Sequence, residues 1–211
     1  MKRAELKPRV VAQFLFAFLC VFCGLALPSP GLGPAYTRAH AALGNALFEN
    51  TRFERGVRLH FDAPDAELAE HPWQLTLQVR DPERAQQPVL VPIDLRTLSF
   101  LPIAAFIGLA LAAPLGAARR NARLLAQGLA ILVPALFLIT ALPLLSFLGG
   151  TGPVRAFRLA PFWHVVFQTA YRALVAPPGM MYALPLLLWW ALVSRLQPAR
   201  SSGAAAPRLA S

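Results

Sequence analysis

Four apolar runs, separated by one long polar stretch, organise this sequence of 211 residues. A helix needs about 20 apolar residues to cross the hydrocarbon core of a bilayer, with a range of about 17–25. Three runs have that length, and the fourth, Met180–Val193, reaches it only with its flanks. The pattern predicts an α-helical membrane protein with four transmembrane helices. The predicted spans are residues 10–27, 98–118, 124–148 and 178–195.

The polar stretch between the first two runs, residues 28–97, has the pattern of a small α+β extracytoplasmic domain. Its segment Ala35–Phe48 has helical periodicity, which predicts a short amphipathic helix. The residues expected on its apolar face are Tyr36, Ala39, Leu43 and Leu47, with Arg38 and Asn45 pointing elsewhere. Apolar and polar residues then alternate in three stretches, which is typical of half-buried strands. These stretches are residues 53–61, 73–80 and 89–96.

The third stretch is expected at the edge of this sheet, because Pro92 cannot donate a hydrogen bond to a central ladder. The apolar face of the sheet needs cover from the preceding helix, from the membrane-proximal helices or from a partner. An exposed edge strand can dock an extended peptide or another sheet. The residues predicted to bind a partner are Val89, Val91, Ile93, Asp94 and Arg96.

The net charge of +10 lies mainly at the ends of the apolar runs. Cytoplasmic loops of membrane proteins carry an excess of Lys and Arg, so these clusters predict that both termini are cytoplasmic. Residues 1–9 would form the cytoplasmic N-terminus, and residues 196–211 a disordered cytoplasmic tail. The clusters are Lys2, Arg3, Lys7 and Arg9; Arg119, Arg120 and Arg123; Arg195, Arg200 and Arg208. This distribution indicates membrane orientation and not nucleic-acid binding.

Composition indicates a bacterial inner membrane. Eighteen of the twenty basic residues are arginine, and Ala and Pro are abundant, which is the usage of a GC-rich genome. The first run is longer than the apolar core of a signal peptide, about 7–15 residues, so an uncleaved anchor is expected. Residues 149–177 form a second outer loop, in which Pro161–Val175 predicts an amphipathic helix at the membrane interface.

Two cysteines in the first run, Cys20 and Cys23, form a C-x-x-C pair. This spacing lets two thiols close a small disulfide loop in redox enzymes, and four-helix disulfide-generating membrane proteins carry such a pair near the outer end of a helix. Those enzymes relay electrons through a second pair, whereas this chain has two cysteines. The alternatives are a membrane thiol-disulfide oxidoreductase and two small residues that pack in a transmembrane helix.

Other candidate chemistry is sparse. His164 has no Asp or Glu after Asp94 to orient it, and a metal site at His60 and His71 would need two further ligands. The four apolar runs contain no Asp, Glu, Lys, Arg or His, although transporters, pumps and intramembrane proteases need ionisable groups at depth. No enzymatic activity, cofactor or metal is therefore expected.

The plan of the chain resembles a family of bacterial membrane proteins associated with exosortase H, the transpeptidase of a protein-sorting system. The likeness covers about two thirds of the chain: the anchor, the outer segment, the run Ile93–Pro102, Ala113-Pro114, the Arg119-Arg120 turn and Gln127-Gly128. Exosortases are larger and have a catalytic Cys, Arg and His at the outer face. The resemblance therefore implies a companion protein, which assists the sorting or processing of proteins, and it carries over no catalytic residue.

The leading hypothesis is thus a non-enzymatic accessory protein of the inner membrane, whose outer domain contacts an exosortase-type transpeptidase or its substrate. The alternative is the thiol-disulfide oxidoreductase. A subunit of a small-molecule permease is a third hypothesis, which the apolar spans disfavour.

Overall fold

The computed structural model is mostly helical, with one small sheet, as the sequence pattern predicts. It describes residues 8–27, 31–48, 51, 56–64, 71–80, 82, 88–113, 118–149, 160–175, 177 and 179–196. The side chains of residues 143–149 and 161 are outside this description. The predicted tail, residues 196–211, lies beyond the described residues except for Leu196, and so do Arg155 and Arg158 of the second outer loop.

Six α-helices occur in the described ranges. They are α1 (Pro8–Ala26), α2 (Leu32–Phe48), α3 (Leu101–Ala112), α4 (Ala118–Gly149), α5 (Pro161–Leu174) and α6 (Met180–Leu196). A π-helical turn, Arg96–Phe100, leads directly into α3. Arg119 and Arg120 lie inside the first turn of α4, so they begin this helix, whereas the sequence placed them in a turn before it.

Two of the described helices are long and apolar enough to cross a membrane: α1, and residues Ala118–Leu142 of α4. The segments Arg96–Ala112 and Met180–Leu196 are apolar but shorter. The four predicted spans thus correspond to two helices of full length and two of marginal length. The number of membrane crossings stays a prediction.

The sheet has three strands: β1 (Arg58–Asp62), β2 (Gln74–Arg80) and β3 (Val89–Asp94). All three pair antiparallel in the order β1-β2-β3, so β3 is an edge strand, as Pro92 indicates. The register sets Phe61 opposite Leu77 and Leu77 opposite Val91. Alternate residues of β1 and β2 are buried, and those of β3 are half-buried or buried, which confirms the period-2 pattern.

Helix α2 covers the apolar face of the sheet, with a different side of the helix from the predicted one. The residues that it buries are Gly33, Pro34, Thr37, Ala41 and Gly44. Leu43 and Leu47, expected on the buried face, are about half exposed. Small residues face the sheet because the backbone approaches it closely: a Cβ built on Gly44 would lie 2.8 Å from the Phe61 ring. The prediction of a helix was right, and the prediction of its buried face was right at Tyr36, which packs against the core, but wrong at Ala39, Leu43 and Leu47.

The remaining helices form a second apolar core. Helix α3 packs against α1, α4 and α6. Phe106 of α3 is fully buried, and its ring lies against Gly128 of α4. Phe18 of α1 lies against Gly108 of α3 in the same way. Glycine allows such close approach between apolar helices, where packing provides much of the association energy.

An aromatic cluster joins the sheet to the helices. The ring centroid of Trp73 lies 4.5 Å from that of Phe100 and 5.9 Å from that of Tyr36. The Tyr36 hydroxyl also lies 2.9 Å from Ser99 Oγ, on the turn that opens α3. The start of α3, the start of β2 and helix α2 therefore meet at one joint.

Candidate functional site

The two edge strands of the sheet differ in whether another part of the chain covers their backbone. Asn45 of α2 forms two hydrogen bonds with the backbone of Phe61 in β1: its Nδ2 donates to Phe61 O at 2.9 Å, and its Oδ1 accepts from Phe61 N at 2.7 Å. An asparagine amide thus occupies the position that a neighbouring strand would take. Unpaired strand edges attract other chains, so this contact protects the edge of β1.

The same contact shows which backbone groups of β3 point to its outer edge. In an antiparallel sheet, the N–H and C=O groups of successive residues point to alternate sides of the strand. Because those of Phe61 point away from β2, the register makes Val91 bond to β2. Leu90, Pro92 and Asp94 then direct their backbone groups to the free edge. Among the described residues, no backbone group pairs with Leu90 or Pro92 at this edge.

Of the three edge residues, Leu90 offers the most complete contact. Its side chain is 58% exposed on the open face of the sheet, and its N–H and C=O both face the edge. Pro92 offers a carbonyl only, because proline has no N–H. The edge can therefore accept a short extended segment around Leu90, but not a long continuous ladder.

The five residues predicted to bind a partner fall into two groups. Val89 and Val91 are half-buried, whereas Ile93, at 6% exposed, belongs to the core under α2. Asp94 caps the helix that follows it. Its Oδ1 accepts from Arg96 N at 2.9 Å, and its Oδ2 accepts from Thr97 Oγ1 at 2.6 Å.

Arg96 holds the end of another helix. Its Nη2 donates a hydrogen bond of 3.0 Å to Ala26 O, in the last turn of α1. The last carbonyls of a helix have no partner within the helix and carry partial negative charge, so a guanidinium there is stabilising. Asp94 and Arg96 therefore join β3 to α1 and α3, a role that sequence spacing does not reveal.

A cavity of about 660 Å³ opens beside this joint. It is lined mostly by apolar surface, with polar groups from both strands. Gln74 and Asp94 lie opposite each other in the register, so both belong to the open face of the sheet. The lining residues are His71, Pro72, Trp73, Gln74, Pro92, Asp94 and Arg96.

Two titratable groups of α2 are perturbed. Burial raises the pKa of Tyr36 above its ordinary value, and the hydrogen bond with Ser99 opposes this change. Burial lowers the pKa of His40, because the charged imidazolium is disfavoured away from water. The hydrogen bond from His40 Nδ1 to Tyr36 O, at 3.1 Å, opposes that change.

Both thiols of the alternative redox site are free. Cys20 and Cys23 are exposed on α1, whose Phe14 and Phe18 contact α6 and α3. These are the two cysteines of the sequence. The pair therefore lies on a surface of the helix that has no second redox pair beside it.

The histidines are widely separated. The register sets His60 opposite Gln78, whereas His71 precedes the other end of β2. His60 Nε2 lies 3.1 Å from Asp62 Oδ1, an exposed pair on the open face. His164 is half-buried on α5. No group of three or more His, Cys, Asp or Glu side chains that could hold a metal ion occurs in the described part of the chain.

Sequence reasoning missed three residues of this region. Leu90 breaks the alternation as an apolar residue at a polar position, which is a signal for an exposed contact. Asn45 carries no local signal, because its partner Phe61 is sixteen residues away. Trp73 is buried, and it also forms a wall of the cavity. No protein-family model, curated protein or solved structure matches this chain.

Proposed function

We propose that this protein is a non-enzymatic accessory protein of a bacterial inner membrane, which assists an exosortase-type protein-sorting system. Its extracytoplasmic α+β domain contacts the transpeptidase or its substrate. One observation carries the proposal: Asn45 covers the edge of β1, whereas no described backbone group covers the edge of β3. A free edge is a site where an extended segment of another protein can add a strand.

The proposal places four helices in the membrane. None of the residues of α1 is buried, and Phe16 is 71% exposed. Exposed apolar side chains of this size are unfavourable in water, and lipid tails cover them. The segments Arg96–Ala112 and Met180–Leu196 have 17 residues each, at the lower end of the spanning range of about 17–25.

The orientation follows from charge. With four spans, the N-terminus, the start of α4 and the C-terminus lie on one side, and these three regions carry the basic clusters. The positive-inside rule makes that side the cytoplasm. The sheet and its free edge then face the outside, where a partner with an extracytoplasmic catalytic site is accessible.

Co-purification from native membranes tests the proposed function. A tag after Ser211 would be used to recover the full-length protein in a mild detergent, and mass spectrometry would identify what remains bound. We expect stoichiometric recovery of a multi-spanning transpeptidase. Recovery of the protein alone from membranes that contain such an enzyme would overturn the proposal of a stable accessory subunit.

A pair of variants tests the role of the β3 edge. Leu90→Lys places a charge on the exposed edge, a substitution that blocks edge pairing in natural sheets. Thr76→Lys is the matched control, because Thr76 lies on the same face but in the central strand. We expect Leu90→Lys to reduce recovery of the partner about tenfold and Thr76→Lys to leave it within about twofold. Equal effects of the two variants would show that the edge is not the contact.

A further inference from the structure

The cavity beside Trp73 lies where helix α1 ends and the turn that leads into α3 begins. Arg96, at the start of the turn before α3, donates to Ala26 O at the end of α1. With 19 residues, α1 is about 28 Å long, close to the thickness of a hydrocarbon core, about 30 Å. In the membrane placement of the proposed function, on which this inference rests, Ala26 reaches the outer headgroup layer. The cavity then opens at the level of the lipid headgroups.

The walls of the cavity combine apolar surface with a cation. Pro72, Trp73 and Pro92 contribute apolar walls, and Arg96 contributes a guanidinium. The volume of about 660 Å³ lies within the range of small-molecule sites, about 300–1,000 Å³. Tryptophan is enriched at membrane interfaces because one part of the ring is apolar and its N–H is polar.

The guanidinium of Arg96 can donate further hydrogen bonds. Its hydrogen bond to Ala26 O is the single one that its side chain makes with the described residues. The carboxylate of Asp94 lines the same cavity, but it accepts hydrogen bonds from Arg96 N, Thr97 N and Thr97 Oγ1. These hydrogen bonds at the N-terminal end of the helix stabilise its negative charge. The positive charge of Arg96 has no such counterion among the described residues.

We propose that this cavity binds an anionic phospholipid of the outer leaflet. The phosphate bonds to the guanidinium of Arg96, because arginine and phosphate form strong charge-assisted hydrogen bonds. The glycerol and the first acyl carbons lie against Trp73 and Pro92. A lipid bound here fixes the height of the sheet above the bilayer, and with it the position of the free β3 edge.

Lipid titration of the full-length protein tests this proposal. Native mass spectrometry in a mild detergent would compare the binding of dioleoyl phosphatidylglycerol with that of dioleoyl phosphatidylcholine. We expect phosphatidylglycerol to bind more tightly, and Arg96→Met to weaken its binding about tenfold. Arg80→Met removes the same charge at the far end of β2 and is the matched control, for which we expect no change.

Two substitutions at Gln74 keep the test independent of the bond to α1. Gln74 is half-buried at the cavity wall, and its side chain makes no hydrogen bond with the described residues. We expect Gln74→Glu to weaken phosphatidylglycerol binding and Gln74→Lys to strengthen it, each about threefold. Equal binding by both variants and by the parent protein would overturn the proposal.

Two further outcomes would also contradict it. Displacement of the lipid by equimolar glycerol 3-phosphate would assign the cavity to a soluble phosphate. Unchanged lipid binding in Arg96→Met, together with loss of the partner in co-purification, would assign it to protein docking. Normal phosphatidylglycerol selectivity in a protein that recovers no partner would overturn the proposed function and support the lipid site.

Discussion

Gly128 and Gly24 show how differently two glycines can act within apolar helices. A Cβ built on Gly128 would lie 1.8 Å from Phe106 Cζ, and Phe106 is fully buried. A Cβ built on Gly24 in α1 would meet no atom within 4 Å. The first glycine is therefore required by the contact of α3 with α4, and the second is not required by any contact with the described residues.

We expect Gly128→Ala to destabilise the protein by about 1–3 kcal/mol, because the added methyl group would force the buried ring of Phe106 to shift. Gly24→Ala is the control, and it should be neutral or stabilising by up to about 1 kcal/mol. The midpoint of thermal unfolding in detergent measures both effects. Phe106→Leu should reduce the cost of Gly128→Ala, since residues in contact do not act additively. Additive effects of the two substitutions would show that the ring and the glycine do not meet.

The residues predicted to bind a partner show which roles can be predicted from sequence and which cannot. The alternation around β3 placed Val89, Val91 and Ile93 on one face, but the prediction counted Ile93 among the partner-binding residues, whereas it is buried in the core. The hydrogen bonds of Asp94 and Arg96 could not be predicted, because that of Arg96 depends on Ala26, seventy residues earlier in the chain. From sequence alone, a charged residue at the end of a strand is interpreted as part of an exposed binding surface, because its distant partner is not known.

At the scale of elements, helix α2 shows why a helix can be predicted and its orientation mistaken. The periodicity of large apolar residues selected Leu43 and Leu47 as the buried side. The sheet instead receives the side with Ala41 and Gly44, because small side chains allow the helix backbone to approach Phe61. Hydrophobicity scales count apolar surface and give little weight to close approach, so this choice depends on the opposing surface.

The stability of the packing of α2 against the sheet should depend on pH, because α2 carries His40. This side chain lines a cavity of about 30 Å³ with Phe61, Phe137 and Thr140. The Tyr36 ring packs against it in a tilted arrangement, with ring centroids 4.4 Å apart. Apart from Tyr36, these described neighbours carry no titratable group. Burial lowers the pKa of His40 from 6.5, so the folded protein favours the neutral ring.

A lowered pKa in the folded state means that the unfolded chain binds the proton more readily. The contribution of His40 is therefore fully present above pH 6.5 and is lost as the pH falls through its lower pKa in the folded state. Thermal unfolding measured between pH 7.5 and about pH 5 should show a falling midpoint. His40→Gln should flatten this slope, and an unchanged slope in that variant would assign the effect to other groups.

At the scale of the whole molecule, the sequence predicted the division into a polar α+β unit and a set of apolar helices. Both cores exist, one under α2 and one around Phe106. The count of spans was harder to predict because α3 and α6 are short, and helix length, not hydropathy, limits them. The joint of Tyr36, Trp73 and Phe100 links the two cores, and it involves three segments that are far apart in sequence.

Cysteine accessibility tests the four-span arrangement with both termini inside. Cys20→Ser and Cys23→Ser give a background without thiols, in which His60→Cys and Arg208→Cys each introduce one. A membrane-impermeant maleimide should label Cys introduced at position 60 in cells with a permeabilised outer membrane, because β1 faces the outside in the proposed orientation. The thiol at position 208 should react only after the inner membrane is opened. Labelling of both positions from the outside would require an even number of crossings between them, so at least one of the helices α3, α4 and α6 would not cross the membrane.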